Sequence, residues 1–149
     1  MSTDMSALNL KRQVTIKVVV TPRWKDETQQ FLQTQINQLD SRLQQLDVQV
    51  QRVITEIRKQ SIQPPGPEVT QQINDIQAQG NNERSKILEQ KNQVLQQLSQ
   101  VQVLEMGQEV AQGQVDSYFT ITKGENLIEK MQVEILLRDG IVEEIRGVL

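Results

Sequence analysis

The sequence predicts an α+β protein: a long antiparallel two-helix coiled-coil hairpin on a small, mainly antiparallel four-stranded β base formed by both chain ends. Three observations predict it. An unbroken heptad spacing of apolar residues runs from Leu32 to Ile57. A break rich in proline and glycine follows at 61–67. Apolar residues alternate with period two near both ends of the chain.

In chain order, residues 1–11 are polar and read as a disordered lead-in. Val14, Ile16, Val18 and Val20 then alternate with Thr15, Lys17 and Val19. Alternation of β-branched residues is the pattern of a strand with one covered face. Thr21-Pro22 begins a helix, because Thr can cap and Pro is tolerated at the first helical position. Asp26 and Glu27 follow near the positive end of that helix.

Leu32, Ile36, Leu39, Leu43, Leu46, Val50, Val53 and Ile57 step by 4 and 3 in turn. The flanking positions are mostly Gln, Asp, Arg and Ser, so the stripe is narrow and suits one partner helix. Pro64, Pro65, Gly66 and Pro67 end this helix. Gly66 and Pro67 open the next, which carries Val69, Ile73 and Ile76, then Ile87, Leu88, Val94, Leu95, Leu98, Val101 and Leu104. Between them, Gln77 to Lys86 is polar and contains Gly80. A loosened seam, a bend or a break is expected there, facing Val50. The hairpin covers 23–106, with its tip at 62–67.

After Gly107 the period returns to two. Val115, Ser117, Phe119 and Ile121 form one face of a strand, and Lys123 to Asn126 is a turn. A one-turn helical piece follows at Leu127 to Lys130. Met131, Val133, Ile135 and Leu137 then alternate with Gln132, Glu134, Leu136 and Arg138, and Asp139-Gly140 is a two-residue hairpin signal before Ile141 to Ile145. The β base thus comprises 12–22 and 107–149.

Composition narrows the possible activities. Only 36% of the 149 residues are hydrophobic and 3% aromatic, too little for a thick globular core. There is no Cys and no His, which removes disulfides, thiol chemistry, the commonest general base and the commonest metal ligand. No catalytic, cofactor or metal site is expected. The N-terminal 25 residues are basic through Lys11, Arg12, Lys17, Arg23 and Lys25, and residues 105–149 are acidic. No basic, aromatic-studded surface is visible, so no nucleic-acid partner is expected. There is no signal-peptide pattern and no apolar run of membrane-spanning length, which points to the cytosol.

Few residues invite a functional reading. The tip residues Ile62, Pro64, Pro65 and Pro67 are the candidate partner-binding surface, because rigid exposed prolines lose little entropy on binding; the plainer reading is a tight turn. Trp24, at the strand-to-helix junction, reads as an anchor between core layers rather than a binding hot spot. Glu143 and Glu144 are adjacent in a strand and so point to opposite faces. With Glu125 and Glu129 they read as solvated charges. Gly107, Gly113 and Gly124 lack the lysine and spacing of a phosphate loop.

The order strand, helix, Gly66-Pro67-Glu68, helix, then Val115 to Thr122, Lys123 to Asn126, and Val133 to Ile145 around Asp139-Gly140 resembles the YlqD family of small bacterial proteins. The resemblance covers nearly the whole chain. It implies the fold above and no known activity. Its genes often lie beside those for ribosome maturation, which implies a link to translation. The Gln-rich helices depart from relatives richer in Lys and Glu. The expected function is a non-enzymatic interaction or adaptor module with unknown protein partners and a homo-oligomer through the β base. The alternative is a prefoldin-like holdase chaperone. An enzyme and a membrane-fusion-type transport adaptor fit less well, lacking respectively a convergent polar site and a membrane anchor.

Overall fold

β-Branched alternation at the N-terminus makes β1, Ala7–Val19, the strand around which a four-stranded sheet forms. The computed structural model describes residues 6–60 and 66–148. After β1 come the long helices α1, Pro22–Gln60, and α2, Pro67–Gln102. Next are β2, Glu109–Thr122, the single-turn helix α3, Leu127–Met131, β3, Glu134–Arg138, and β4, Ile141–Arg146. The chain is α+β, and it divides into a sheet unit, reaching to Asp26 and resuming at Leu104, and a helix unit, Glu27–Val103.

The sheet order is β2-β1-β3-β4. β1 pairs antiparallel with β2 from Ala7↔Thr122 to Val19↔Glu109, and parallel with β3 from Thr15↔Glu134 to Val18↔Leu137. β3 and β4 form an antiparallel hairpin. The sheet is therefore mixed. Its tight turn is Asp139-Gly140, where φ is 51° and 83°. Two successive left-handed residues match the right-handed twist of the flanking strands, which is why Asp-Gly serves there.

β1 begins inside the segment read from sequence as a disordered lead-in. Leu8 and Leu10 continue its alternation and pair with Ile121 and Phe119, so residues 7–11 are ordered by β2. Val14, Val18, Val19, Val20, Phe119, Val133 and Leu136 are buried. Leu136 had been assigned to the polar set of its strand. β3 is an inner strand between β1 and β4, and inner strands carry apolar residues on both faces.

Thr21 links two elements of this unit. Its Oγ1 accepts from the Trp24 backbone N–H at 3.0 Å, the N-cap bond of α1, and donates to Asp139 Oδ1 at 2.6 Å. Trp24 itself is half-buried.

In the helix unit, Leu32, Ile36, Leu39 and Leu43 are buried as the heptad spacing predicts. Beyond Leu46 the stripe changes. Ile54 is 2% exposed, whereas Val53 is 38% exposed. The covered positions run Leu46, Val50, Ile54, Ile57, two steps of four before the next three. α2 makes the same change: Ile73, Ile76, Gly80, Arg84, Ile87. Such a double step of four is a stutter, which locally unwinds a left-handed supercoil. Val53 and Ile54 are adjacent apolar residues, so a strict heptad count selects the wrong one.

The two stutters meet. A Cβ added at Gly80 would lie 2.8 Å from Cγ2 of Val50. α2 runs through Gly80 without interruption, so the expected break is absent. Glycine there permits close approach instead. On one side of it, Leu39 and Leu43 cluster with Ile87, joined by Leu46 and Val94. Asp47 pairs with Arg84 and, seven residues away in opposite senses, Asp40 pairs with Lys91, both at 2.6 Å.

Candidate interaction surfaces

Of the residues singled out from sequence, Ile62, Pro64 and Pro65 lie outside the described residues. Pro67 is the first residue of α2 and is exposed. Gly66 precedes it in an extended conformation, and its carbonyl accepts from the Thr70 N–H at 3.1 Å and the Thr70 hydroxyl at 3.2 Å. Glu143 and Glu144 diverge as expected. Glu143 meets Arg138 at 3.2 Å and Glu144 meets Arg146 at 3.0 Å. Among the described residues, no three acidic side chains converge as a metal site, and no helix is long and apolar enough to cross a membrane.

At the paired stutter, a cleft of about 480 Å³ opens beside Gly80, lined by Leu46, Val50, Gln77 and the Asp47–Arg84 pair. Arg84 Nη1 donates to both Asp47 oxygens, at 2.7 and 2.6 Å. Arg84 and Lys91 occupy stripe positions of α2 and are half-exposed at the group level, so their stems cover apolar surface while their charges reach α1. Polar residues at stripe positions fix register.

The larger cleft, about 830 Å³, lies in the sheet unit and is lined by β1 residues 11–13 and 15, Gln132 to Glu134, and Arg146. Its least expected member is Arg12, only 5% exposed. Nη1 of Arg12 donates to the carbonyls of Lys130 at 2.5 Å and Val148 at 3.3 Å. The guanidinium stands 4.7 Å from the ring centroid of Phe119. Nε is buried with no hydrogen-bond partner among the described residues. Two carbonyls and a π-face thus compensate a buried charge for which no described carboxylate is a partner. Arg12 acts as a clamp, binding α3 and the segment after β4 to β1. The sequence reading counted it only as an N-terminal charge. Yet it occupies the register of Leu10, Val14 and Val18, the buried face of β1, and that position was the available signal.

Several other charges of this unit are mutually paired. Arg146 donates to the two Glu109 oxygens at 2.6 and 3.0 Å, and also contacts Glu144 and Glu134. Lys17 meets Glu134 at 3.1 Å. The hydrogen bond from Arg146 lowers the Glu109 pKa, and the acidic partners raise that of Arg146. Lys130, with Thr122, holds Glu125 down to about 2. These networks neutralise the strand face and fix its register; their groups are already engaged with one another.

Comparison with known proteins agrees with this architecture. A crystal structure of a protein of unknown function from Synechococcus sp. WH 8102 is similar, with 42% sequence identity and a TM-score of 0.83, covering 98% of this chain and 99% of that one. No curated protein matches. The model of the YlqD protein family matches residues 8–146. With that match spanning both long helices and all four strands, the chain belongs to the YlqD family.

Proposed function

We propose that the chain is a non-enzymatic interaction module in which α1 and α2 form an antiparallel coiled-coil hairpin that presents a partner-binding surface at the segment between Gln60 and Pro67. The supporting observation is a cluster that takes residues from both helices. Leu39, Leu43 and Ile87 share one cluster, and Asp40 and Asp47 meet Lys91 and Arg84. A stripe satisfied within one chain needs no second helix, which leaves the polar flanks and the connecting segment for recognition.

The test is affinity capture from lysate at low and moderate salt, comparing wild type with a variant carrying Pro64→Ser, Pro65→Ser and Pro67→Ser. A discrete partner captured by wild type and lost in the variant supports the reading. Capture unaffected by the three substitutions removes this segment from the proposal. Ribosomal proteins in either sample would tie the module to translation, the association that the family resemblance implies.

A holdase is the second reading. Phe31 is 62% exposed and Val48 52% on α1, and Leu95 is 39% exposed on α2, which gives apolar surface on the helices for unfolded clients. Suppression of a client's aggregation at equimolar protein supports this reading. No suppression at large excess rejects it.

A further inference from the structure

Three stretches of strand edge in the sheet have no described strand beside them, and they are not equally open. β4 is short, and its Glu143 and Glu144 are already paired with Arg138 and Arg146. The outer edge of β2 is plugged near its end. Lys130 Nζ donates to the Thr120 carbonyl at 3.0 Å, and the Thr122 N–H donates to Glu125 at 2.7 Å. The third stretch belongs to β1. This strand is thirteen residues long, yet β3 pairs with it only over residues 15–18.

One bond decides which groups face that gap. The Thr15 N–H donates to the Val133 carbonyl at 3.2 Å, so Thr15 turns its backbone groups toward β3. Backbone groups of successive strand residues point to opposite edges, and the register with β2 is regular over residues 7–16. Asn9, Lys11 and Gln13 therefore point their N–H and C=O groups to the same side as Thr15, where β3 no longer reaches. Among the described residues, no hydrogen bond engages any of these groups. Space lies beside them. The cleft of about 830 Å³ is lined by Lys11, Arg12 and Gln13 in succession, so it follows the edge of β1 rather than one face of it.

We infer that this cleft takes an extended acidic peptide of a partner protein, added to the sheet as a strand along residues 9–13. This is a second surface, and it does not rest on the segment between Gln60 and Pro67. In strand addition the backbone supplies affinity and the flanking side chains choose the sequence. Over residues 7–13, β1 carries Lys11 and Arg12 and no acid. Lys11 stands at the centre of the free stretch. Its pair with Asp116 is exposed on both sides, 57% and 52%, and a pair of that kind exchanges for a new carboxylate at little cost. The buried Arg12 charge beside it is met by carbonyls and by no described carboxylate. Opposite charges across a strand pair are favourable and like charges unfavourable. A second copy of this edge would set cations against cations, and the acids of β4 are already engaged, so charge selects a foreign acidic strand over a self-pair. Met131 also lines the cleft and is 42% exposed, which offers apolar contact to alternate residues of the added strand. The peptide is thus one in which acidic and apolar residues alternate.

The test uses the full chain and a fluorescein-labelled peptide, acetyl-Val-Glu-Val-Glu-Val-Glu amide, followed by fluorescence anisotropy. The chain is expected to bind it at low salt and to ignore the counterpart with Lys in place of every Glu. Lys11→Glu, at an exposed position, is expected to raise the Kd by about tenfold or more while leaving the circular dichroism spectrum unchanged. Gln13→Pro is the second variant. It removes an N–H that β2 does not use and places a ring in the path of the added strand, so it should abolish binding. Amide hydrogen exchange is the second readout. Asn9, Lys11 and Gln13 should exchange fast in the free chain and become protected by the peptide, whereas Arg12 and Val14, which face β2, should be protected in both. No change in anisotropy up to about 1 mM peptide overturns the inference. So does equal binding of the Lys peptide, binding indifferent to Lys11→Glu, or binding that leaves the three amides unprotected. Self-association that protects them without peptide overturns it as well.

Discussion

Replacing Gly80 with alanine tests whether the paired stutter is a close-packed joint. In an unconstrained helix interior, alanine is favoured over glycine by roughly 1 kcal/mol. Here the new methyl would stand 2.8 Å from Val50 Cγ2, inside contact distance. Val50 cannot swing aside, because a β-branched side chain in a helix has one strongly preferred rotamer. Forcing an extra methyl into such a contact costs ~1–3 kcal/mol. The net effect of Gly80→Ala is therefore a loss between about zero and 2 kcal/mol, against the propensity trend. Val50→Ala removes the clashing methyl together with its neighbour. In that background Gly80→Ala should stabilise by about 1 kcal/mol, so the sign of one substitution depends on the other. Urea unfolding followed by helical circular dichroism at equal m-value gives all four free energies. If Gly80→Ala stabilises the wild type as much as it does the Val50→Ala protein, the close approach is not what glycine provides here.

The arginine clamp and the Glu125 carboxylate give two more expectations. Arg12→Met leaves the carbonyls of Lys130 and Val148 without their donor, and should cost roughly 1–3 kcal/mol, with faster amide exchange in α3 and after β4; unchanged exchange would refute the clamp. Glu125 is held at about 2 from an ordinary 4.5, first by Lys130 and then by the Thr122 hydroxyl and N–H. A depressed folded-state pKa means that the folded chain binds fewer protons than the unfolded chain between those values. Its contribution is whole above about 4.5 and is lost as pH falls toward 2. Carboxyl NMR titration should show Glu125 ionised well below the ordinary range, and Lys130→Met should return it toward that range. An ordinary titration in the wild type would refute the assignment.

The two long helices were legible because helical period and apolar spacing coincide over Leu32 to Leu46, and Asp139-Gly140 was legible because few dipeptides accept two left-handed residues. What escaped the sequence reading was set by partners far along the chain. Residues 7–11 looked polar because their order depends on β2. Leu136 looked like a surface residue because its burial depends on a parallel neighbour. Ile54 was passed over because Val53 satisfied the running count. Gly80 was recognised as a special position, but a glycine in a polar stretch reads the same whether it loosens a helix or admits a neighbour's methyl. The Arg12 clamp could be suspected from register alone, while its acceptors lie near the other end of the sequence.

The placement of β1 bears on the order in which the chain can assemble during synthesis. Its partners are Glu109–Thr122 and Glu134–Leu137, so it pairs with nothing until both long helices have been made. Closing so large a loop is slow compared with forming helical turns, whose contacts are local. The helices can therefore form while Val14, Ile16, Val18 and Val20 wait as an unpaired apolar strand, exposed to the aggregation hazards of such segments. β1 thus waits through the synthesis of both helices before its first partner exists, and conditions that delay completion of the chain should harm this unit before they harm the helices.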